Sequence, residues 1–332
     1  MRKRLLVLTA LTLAFLMEVE AQRQEQWRNR MDSVLAARYY RTSYDTNYVT
    51  RPEGRLTLKV RFNQTGNDFN AKGTINDNHW KADLSTSHKT TVSLAASYRG
   101  ISLSLALNPA KLSGAYKDYE FNLEYHSSRL SLDAAYQRSN SLAGDMRRND
   151  EAKYLESGDV SMKMLNLAAY YVFNHRRFSY PAAFTQSYLQ RRSAGSWLAG
   201  LSYQGGSIET TDALKDRNTL APDTRIYIGH VGIGGGYAYN WVPGKKWLLH
   251  FTMLPTIVVY NRNNLTINDE RRNAGHMRFN MIFNERLAIV HQFSPRLFIG
   301  TTLTMNNSVF DDDAVVVNQN KWRARAFVGI RL

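Results

Sequence analysis

From residue 55 to the last residue, apolar and polar side chains alternate with a period of two, the pattern of strands with one apolar face. Leu56, Leu58, Val60 and Phe62 alternate with Arg55, Thr57, Lys59 and Arg61. Tyr119, Phe121, Leu123 and Tyr125 alternate with Glu120, Asn122, Glu124 and His126. At the end of the chain Trp322, Ala324, Ala326, Val328, Ile330 and Leu332 alternate with Lys321, Arg323, Arg325, Gly329 and Arg331. The pattern predicts strands at 55–63, 88–98, 101–108, 118–126, 128–138, 160–173, 194–204, 226–241, 246–260, 276–293, 296–308 and 321–332, twelve in all.

The connections alternate as well. Those at 99–100, 127, 242–245 and 294–295 are tight, and those at 64–87, 139–159, 205–225, 261–275 and 309–320 are long. Short turns at one rim and long loops at the other are the habit of outer-membrane barrels, with the short turns in the periplasm. Two stretches strain the count. Residues 67–86 read as strand extensions or a small hairpin, and 174–193 put twenty residues where a short turn is due.

Alternation alone fits a soluble sandwich equally well. Many strands, however, reach ten residues, enough to cross a bilayer when tilted. Tyr98, Tyr136, Tyr203, Tyr239, Trp241, Trp247, Tyr260 and Trp322 stand near strand ends, as in interfacial girdles. Closure also removes the exposed edges that an open sheet of this size would leave. The expected fold is therefore all-β, a closed antiparallel transmembrane β-barrel of about twelve strands.

The N-terminus reads as an export signal. Arg2, Lys3 and Arg4 precede an apolar run of 13 residues, Leu5 to Met17, and Val19-Glu20-Ala21 offers a cleavage site. A spanning helix needs roughly 20 residues. The expected organisation is a signal peptide at 1–21, an N-terminal periplasmic segment at 22–54 and a barrel at 55–332, in a bacterial outer membrane. Trp27, Met31, Val34, Leu35 and Arg38 fall near helical spacing, so 22–54 reads either as carrying a short amphipathic helix or as an unstructured leader.

The formal charge is +15, and losing the signal's three basic and two acidic residues leaves +14. On a soluble chain this would suggest nucleic acid. On an exported one it suggests acidic lipid or a charged lumen, and no nucleic-acid partner is expected. The absence of cysteine excludes a disulfide framework, a thiolate metal site and an anchor on an N-terminal Cys.

Those lumenal charges are the candidate chemistry. Closure pairs the first strand with the last, which sets Arg55, Lys59 and Arg61 beside Arg323, Arg325 and Arg331 in one basic wall, with Arg278 and Arg286 extending it. Glu120, Glu124 and Asp133 form an acidic wall. Facing one another across a pore, the walls would favour anionic or zwitterionic solutes. Pairing across a filled interior, they would only stabilise the fold. The segment Arg176, Arg177, Phe178, Tyr180, Pro181, Phe184 through Arg191 and Arg192 decides between these: it is a plug whose arginines meet the acidic wall, a surface stretch on lipid phosphates, or a strand extension.

Other features read as structural. The glycine-rich run 229–236 has no following helix and no Lys-Ser/Thr, so it is no phosphate loop and instead permits curvature. Eight scattered histidines lack metal spacing, and no metal or cofactor is expected. Asp311-Asp312-Asp313 offers carboxylates to a divalent cation or a sugar, but such a run reads first as a solvated loop tip. An enzyme would need a triad assembled across strands, with His126 or His250 as candidates, and no motif announces one.

The blocks Asp45-Thr46-Asn47-Tyr48-Val49, Tyr98-Arg99-Gly100, Tyr170-Tyr171-Val172-Phe173-Asn174, Arg177 through Phe184, Ser193 through Trp197 and Gly232 through Pro243 resemble Bacteroidota outer-membrane proteins classed as a domain of unknown function, the 4421 family. The resemblance implies an outer-membrane barrel and brings no catalytic residues. Three functions are carried forward: a barrel that conducts or binds small anionic solutes or glycans, a plugged structural or surface-interaction barrel, and a lipid-modifying enzyme. The expected partners are outer-membrane lipid, lipopolysaccharide and the barrel-insertion machinery.

Overall fold

The computed structural model describes residues 22–34, 37, 44–54, 56–75, 77–98, 101–107, 118–212, 214, 223–267, 270–273, 280–311 and 315–332. The proposed signal at 1–21, Arg55, Arg278, the 99–100 turn and Asp312-Asp313 lie outside the described residues. The chain divides into two compact units, Met1–Ser43 and Tyr44–Leu332. In the first, residues 22–34 form a helix, α1, with Trp27, Met31 and Val34 exposed.

Among its described residues the second unit is mostly strand, with a helical turn α2 (Tyr180–Phe184) and helical residues at 212 and 214. In chain order its strands are β1 (Val49–Thr50), β2 (Leu56–Ile75), β3 (Asn78–Thr86), β4 (Lys89–Tyr98), β5 (Ile101–Leu107), β6 (Tyr119–His126), β7 (Leu130–Arg148) and β8 (Glu151–Val172). After α2 come β9 (Leu189–Gln190), β10 (Ala194–Thr210), β11 (Thr224–Trp241), β12 (Trp247–Asn261), β13 (Asn264–Ile267), β14 (Glu270–Asn273), β15 (Met281–Gln292), β16 (Leu297–Asp311) and β17 (Val315–Arg331).

Among the described residues the closed ring runs β2–β3–β7–β8–β10–β11–β12–β15–β16–β17 and back to β2, ten strands, all antiparallel. Each of the twelve expected strands is present in the described residues, yet the ring closes through ten, because β2 and β7 each divide their length between two neighbours and β3 joins the ring where β4, β5 and β6 stand off it. At 20 residues it is about twice the length a tilted bilayer crossing needs. Its first half pairs with β4 (Leu56↔Tyr98 to Thr65↔Lys89), and its second half pairs with β3 (Asp68↔Ser85 to Ile75↔Asn78). β3 then pairs with the far half of β7, while β6 pairs with the near half. Residues 67–86 are thus both a strand extension and a hairpin. The tight-turn rim carries the β4–β5 pair and β6 as additional strands.

The wall is inside-out relative to a water-soluble sheet. On β2 the inward Thr57, Lys59, Arg61 and Asn63 are buried, while the outward Leu58, Val60 and Phe62 are exposed, Phe62 by 53%. The same inversion recurs on β6, β12 and β17, where Phe121, Leu123, Phe251, Ile257, Val328 and Ile330 stand exposed. In β11 the glycine run brings two backbones together: a Cβ on Gly234 or Gly236 would collide with the carbonyls of Pro255 and Met253 on β12.

Candidate functional site

The lumen is filled in layers. Towards the long-loop rim lie apolar clusters built from Phe69, Leu142, Val160, Met162 and Met164, and from Val258, Ile282 and Phe310. Beneath them an amide chain crosses the bore. Gln204 on β10 donates to Gln319 on β17, Gln319 donates to Asn67 on β2 (3.1 Å), and Asn67 reaches Gln137 on β7 (3.5 Å). Side chains of opposite walls meet directly, so the bore at this level is no wider than two side chains.

The next layer holds the predicted charges, and the two walls touch. Arg325 clasps Glu124 through two guanidinium nitrogens at 3.0 Å each, and its Nε donates to Asn63 Oδ1 at 3.0 Å. Arg323 reaches Glu124 at 3.0 Å and Glu120 at 3.2 Å, and also donates to Asn122. Arg286 pairs with Asp133 and donates to the Tyr170 hydroxyl. Of the two expected arrangements, the walls pair by charge-assisted bonds across a filled interior and do not face one another across an open pore. Lys59, Arg61 and Arg331 make no ion pair among the described residues, although all three are buried.

Two of those three hold the segment 174–193, which turns inward as α2. Ser179 caps the turn, its hydroxyl accepting from the Ala182 amide at 3.3 Å, and Pro181 stands in the first turn. At the other end, carbonyls left without helical partners face the basic wall. Lys59 Nζ donates to Thr185 O and Gln186 Oε1, both at 2.9 Å, and Arg331 donates to Gln186 O at 3.4 Å. Cations at orphan carbonyls complement the dipole of the turn. Gln186 is fully buried, takes the left-handed φ of 56°, and returns its own amide to Ala183 O at 2.7 Å.

The inward face of the turn is aromatic. The Tyr180 ring lies 6.2 Å from Tyr170 and 5.4 Å from Phe178, and its hydroxyl bonds Thr252 Oγ1 at 2.7 Å. The Phe184 ring sits 5.5 Å from His126 and 5.0 Å from His250, with the Arg286 guanidinium 5.6 Å from its centroid. His250 is bound through both ring nitrogens, to Asn240 and Thr252 at 2.6 Å each, and His126 Nδ1 bonds Ser131. The two candidate triad histidines are therefore covered by the turn.

The arginines of the segment do not meet the acidic wall, and that expectation is corrected. Arg177 pairs with Asp45 at 3.6 Å and lies 5.1 Å over the Tyr48 ring, while Arg191 donates to Thr50 Oγ1 at 2.9 Å. Arg176 and Arg192 are exposed. Burying four guanidinium groups where Glu124 and Asp133 are already engaged would leave charges unpaired, so aromatic rings go inward instead. The arginines tie the segment to residues 44–50, a strap that belongs to the barrel unit. β1 pairs with β9 (Val49↔Gln190, Thr50↔Leu189), Asp45 N donates to Arg176 O at 2.9 Å, and the rings of Tyr44 and Tyr188 meet at 4.9 Å. Burial raises the Tyr44 phenol above its usual pKa.

Sequence reasoning missed Tyr170, Gln186, Asn240 and Thr252 as parts of this site. Tyr170 and Thr252 are inward positions that period-two counting could have exposed; nothing local singles out Gln186 or Asn240. Among the described residues no three of His, Cys, Asp and Glu gather as a metal site.

No curated protein matches the chain. Several solved barrels are similar to it over most of their lengths. The outer membrane protease OmpT from Escherichia coli matches with 8% identity over 85% of this chain and 97% of its own, at a TM-score of 0.43. An outer membrane channel from Pseudomonas putida F1 matches with 13% identity over 87% and 99%, at 0.29. The P. putida toluene transporter TodX matches with 8% identity over 85% and 91%, at 0.27. Nothing of their activities transfers at these identities. A family model described as a domain of unknown function, DUF4421, matches residues 43–331, and the chain belongs to that family.

Proposed function

We propose that this protein is an outer-membrane barrel held shut at its periplasmic end by residues 174–193, and that it passes small anionic solutes only when this plug is displaced. The observation that carries the reading is the seat of α2: two buried cations of the wall, Lys59 and Arg331, grip carbonyls and the Gln186 side chain rather than carboxylates. The exposed apolar outer face supports placement in lipid, and the tight turns at the rim where β2 begins and β17 ends support its periplasmic orientation. With the plug withdrawn, Lys59, Arg61 and Arg331 would line the rim without acidic partners, which favours anions, and the side chains of the ion-pair layer, Arg286 under the Phe184 ring among them, would lose the packing that holds them across the bore.

The test is single-channel recording in planar bilayers. Wild-type protein, verified as folded by heat-modifiable mobility on gels, is expected to be silent. Deletion of 176–192 is expected to give steady, anion-biased conductance, with the bias reduced when Arg61→Glu is added. A silent deletion variant that still folds would sink the proposal, and so would conducting wild-type protein.

A further inference from the structure

At the level of the ion-pair layer the lumen contains a cavity of about 40 Å³, lined by Asn166, Ser202, Asn284, Lys321 and Arg323 among others. A water molecule needs about 10–15 Å³ by the same measure, so the space holds roughly three waters or one small ion. The lining is unbalanced in its hydrogen bonding. Asn166 Nδ2, Lys321 Nζ and Arg323 Nε are buried donors with no acceptor, and no acceptor on the lining residues is left over in the same way among the described residues.

The layer is unbalanced in charge in the same sense. Arg286, Lys321, Arg323 and Arg325 carry four positive charges, and Glu120, Glu124 and Asp133 carry three negative ones. Lys321 is the least well served. Its Nζ lies 3.9 Å from Glu120 Oε1, a carboxylate already bonded to Arg323 at 3.2 Å. Unpartnered donors and a surplus positive charge are both costly in a buried site, and one guest satisfies both: a species that only accepts hydrogen bonds and carries a single negative charge.

We propose that this cavity is a binding site for a small monovalent inorganic anion, chloride or an ion of its size, held by Asn166, Lys321 and Arg323. The assignment deepens the anion reading above and rests on the same filled lumen, but it concerns the closed state. Its outcome is independent of whether the plug ever leaves.

Thermal unfolding in sodium chloride, bromide or gluconate at matched ionic strength provides the solution test. The wild-type Tm is expected to be several degrees higher in either halide than in gluconate. Asn166→Leu, which removes a donor and leaves every charge in place, is expected to shrink that difference, and Lys321→Met to abolish it. Should Lys321→Met fail to fold, Asn166→Leu still decides the matter. Crystals grown in bromide are expected to show an anomalous peak in the cavity within hydrogen-bond reach of Asn166. A Tm indifferent to the anion, waters alone in the cavity, or a bromide peak unchanged in Asn166→Leu would each overturn the assignment. Any of these would leave conductance of the plug-deleted barrel unaffected, so failure of the site and failure of the gated-barrel reading are distinguishable.

Discussion

At the tight-turn rim the bore is filled by a loop of chain that leaves β8 and returns as β10, whereas one layer further in it is filled by side chains of the wall itself. The loop is held by aromatic burial and by cations on carbonyls; the wall layer is held by ion pairs between strands far apart in sequence, such as Glu124 and Arg325, 201 residues apart. Each of the buried rings Phe178, Tyr180 and Phe184 contributes roughly 1.5–3 kcal/mol through burial, and the loop could leave as a unit without breaking a strand pair of the ring. The ion-pair layer is rooted in the wall strands and cannot leave as a unit; only its side chains can swing aside once the loop no longer packs on Arg286. The first is suited to a gate and the second to a strut that yields only after it.

The comparison can be broken most forcefully at the strut. Glu124→Leu strands Arg323 and Arg325 in a buried layer, and loss of one partner of such a pair costs about 3–5 kcal/mol. Urea unfolding in detergent is expected to show this loss with the folded protein still electrically silent. Current through folded Glu124→Leu barrels would mean that the wall layer, and not the loop, is the seal. Lys59→Met acts on the loop alone. It removes a charged donor from two acceptors at the turn, a change of about 1.5–3 kcal/mol, and is expected to raise thiol labelling of an Ala183→Cys variant in the plug while the melting of the wall barely shifts. Equal labelling with and without the lysine would show that the grip on the carbonyls does not hold the turn. The smallest effect belongs to the strap. Asp45→Asn removes a partly exposed pair with Arg177, where such pairs contribute about 0–1 kcal/mol. Its effect on the same labelling is expected to be slight, and a large one would move the main latch from the lumen to the strap.

Much of the wall was legible because lipid-facing and lumen-facing positions alternate without interruption where the outer face is apolar. The length of β2 was not, since Asn63-Gln64-Thr65-Gly66-Asn67 is polar or small on both faces and interrupts the alternation in mid-strand. The basic and acidic walls could be read strand by strand. That they touch depends on the width of the bore, which follows from the closure path and not from any local pattern. In 174–193 the excess length and the aromatic block pointed to something inserted, but the arginines drew the reading towards the acidic wall. What reverses the assignment is a long-range fact, the prior engagement of Glu124 by Arg323 and Arg325. The pairing of residues 49–50 with 189–190 is likewise beyond sequence reading, for a two-residue strand carries no periodicity.

The joining of β2 to β17 also has a consequence for how the molecule is made. Residues 57–73 find their partners at 315–331, so the wall is complete only when nearly the whole chain exists. Until then β2 offers one unpaired edge and β16 another, and contacts of such long sequence separation form slowly. The nascent protein spends its assembly as a curled ribbon with two adhesive borders and an apolar back, a species prone to aggregate in water. Escort to the bilayer and late sealing of the seam are therefore demands set by the topology itself.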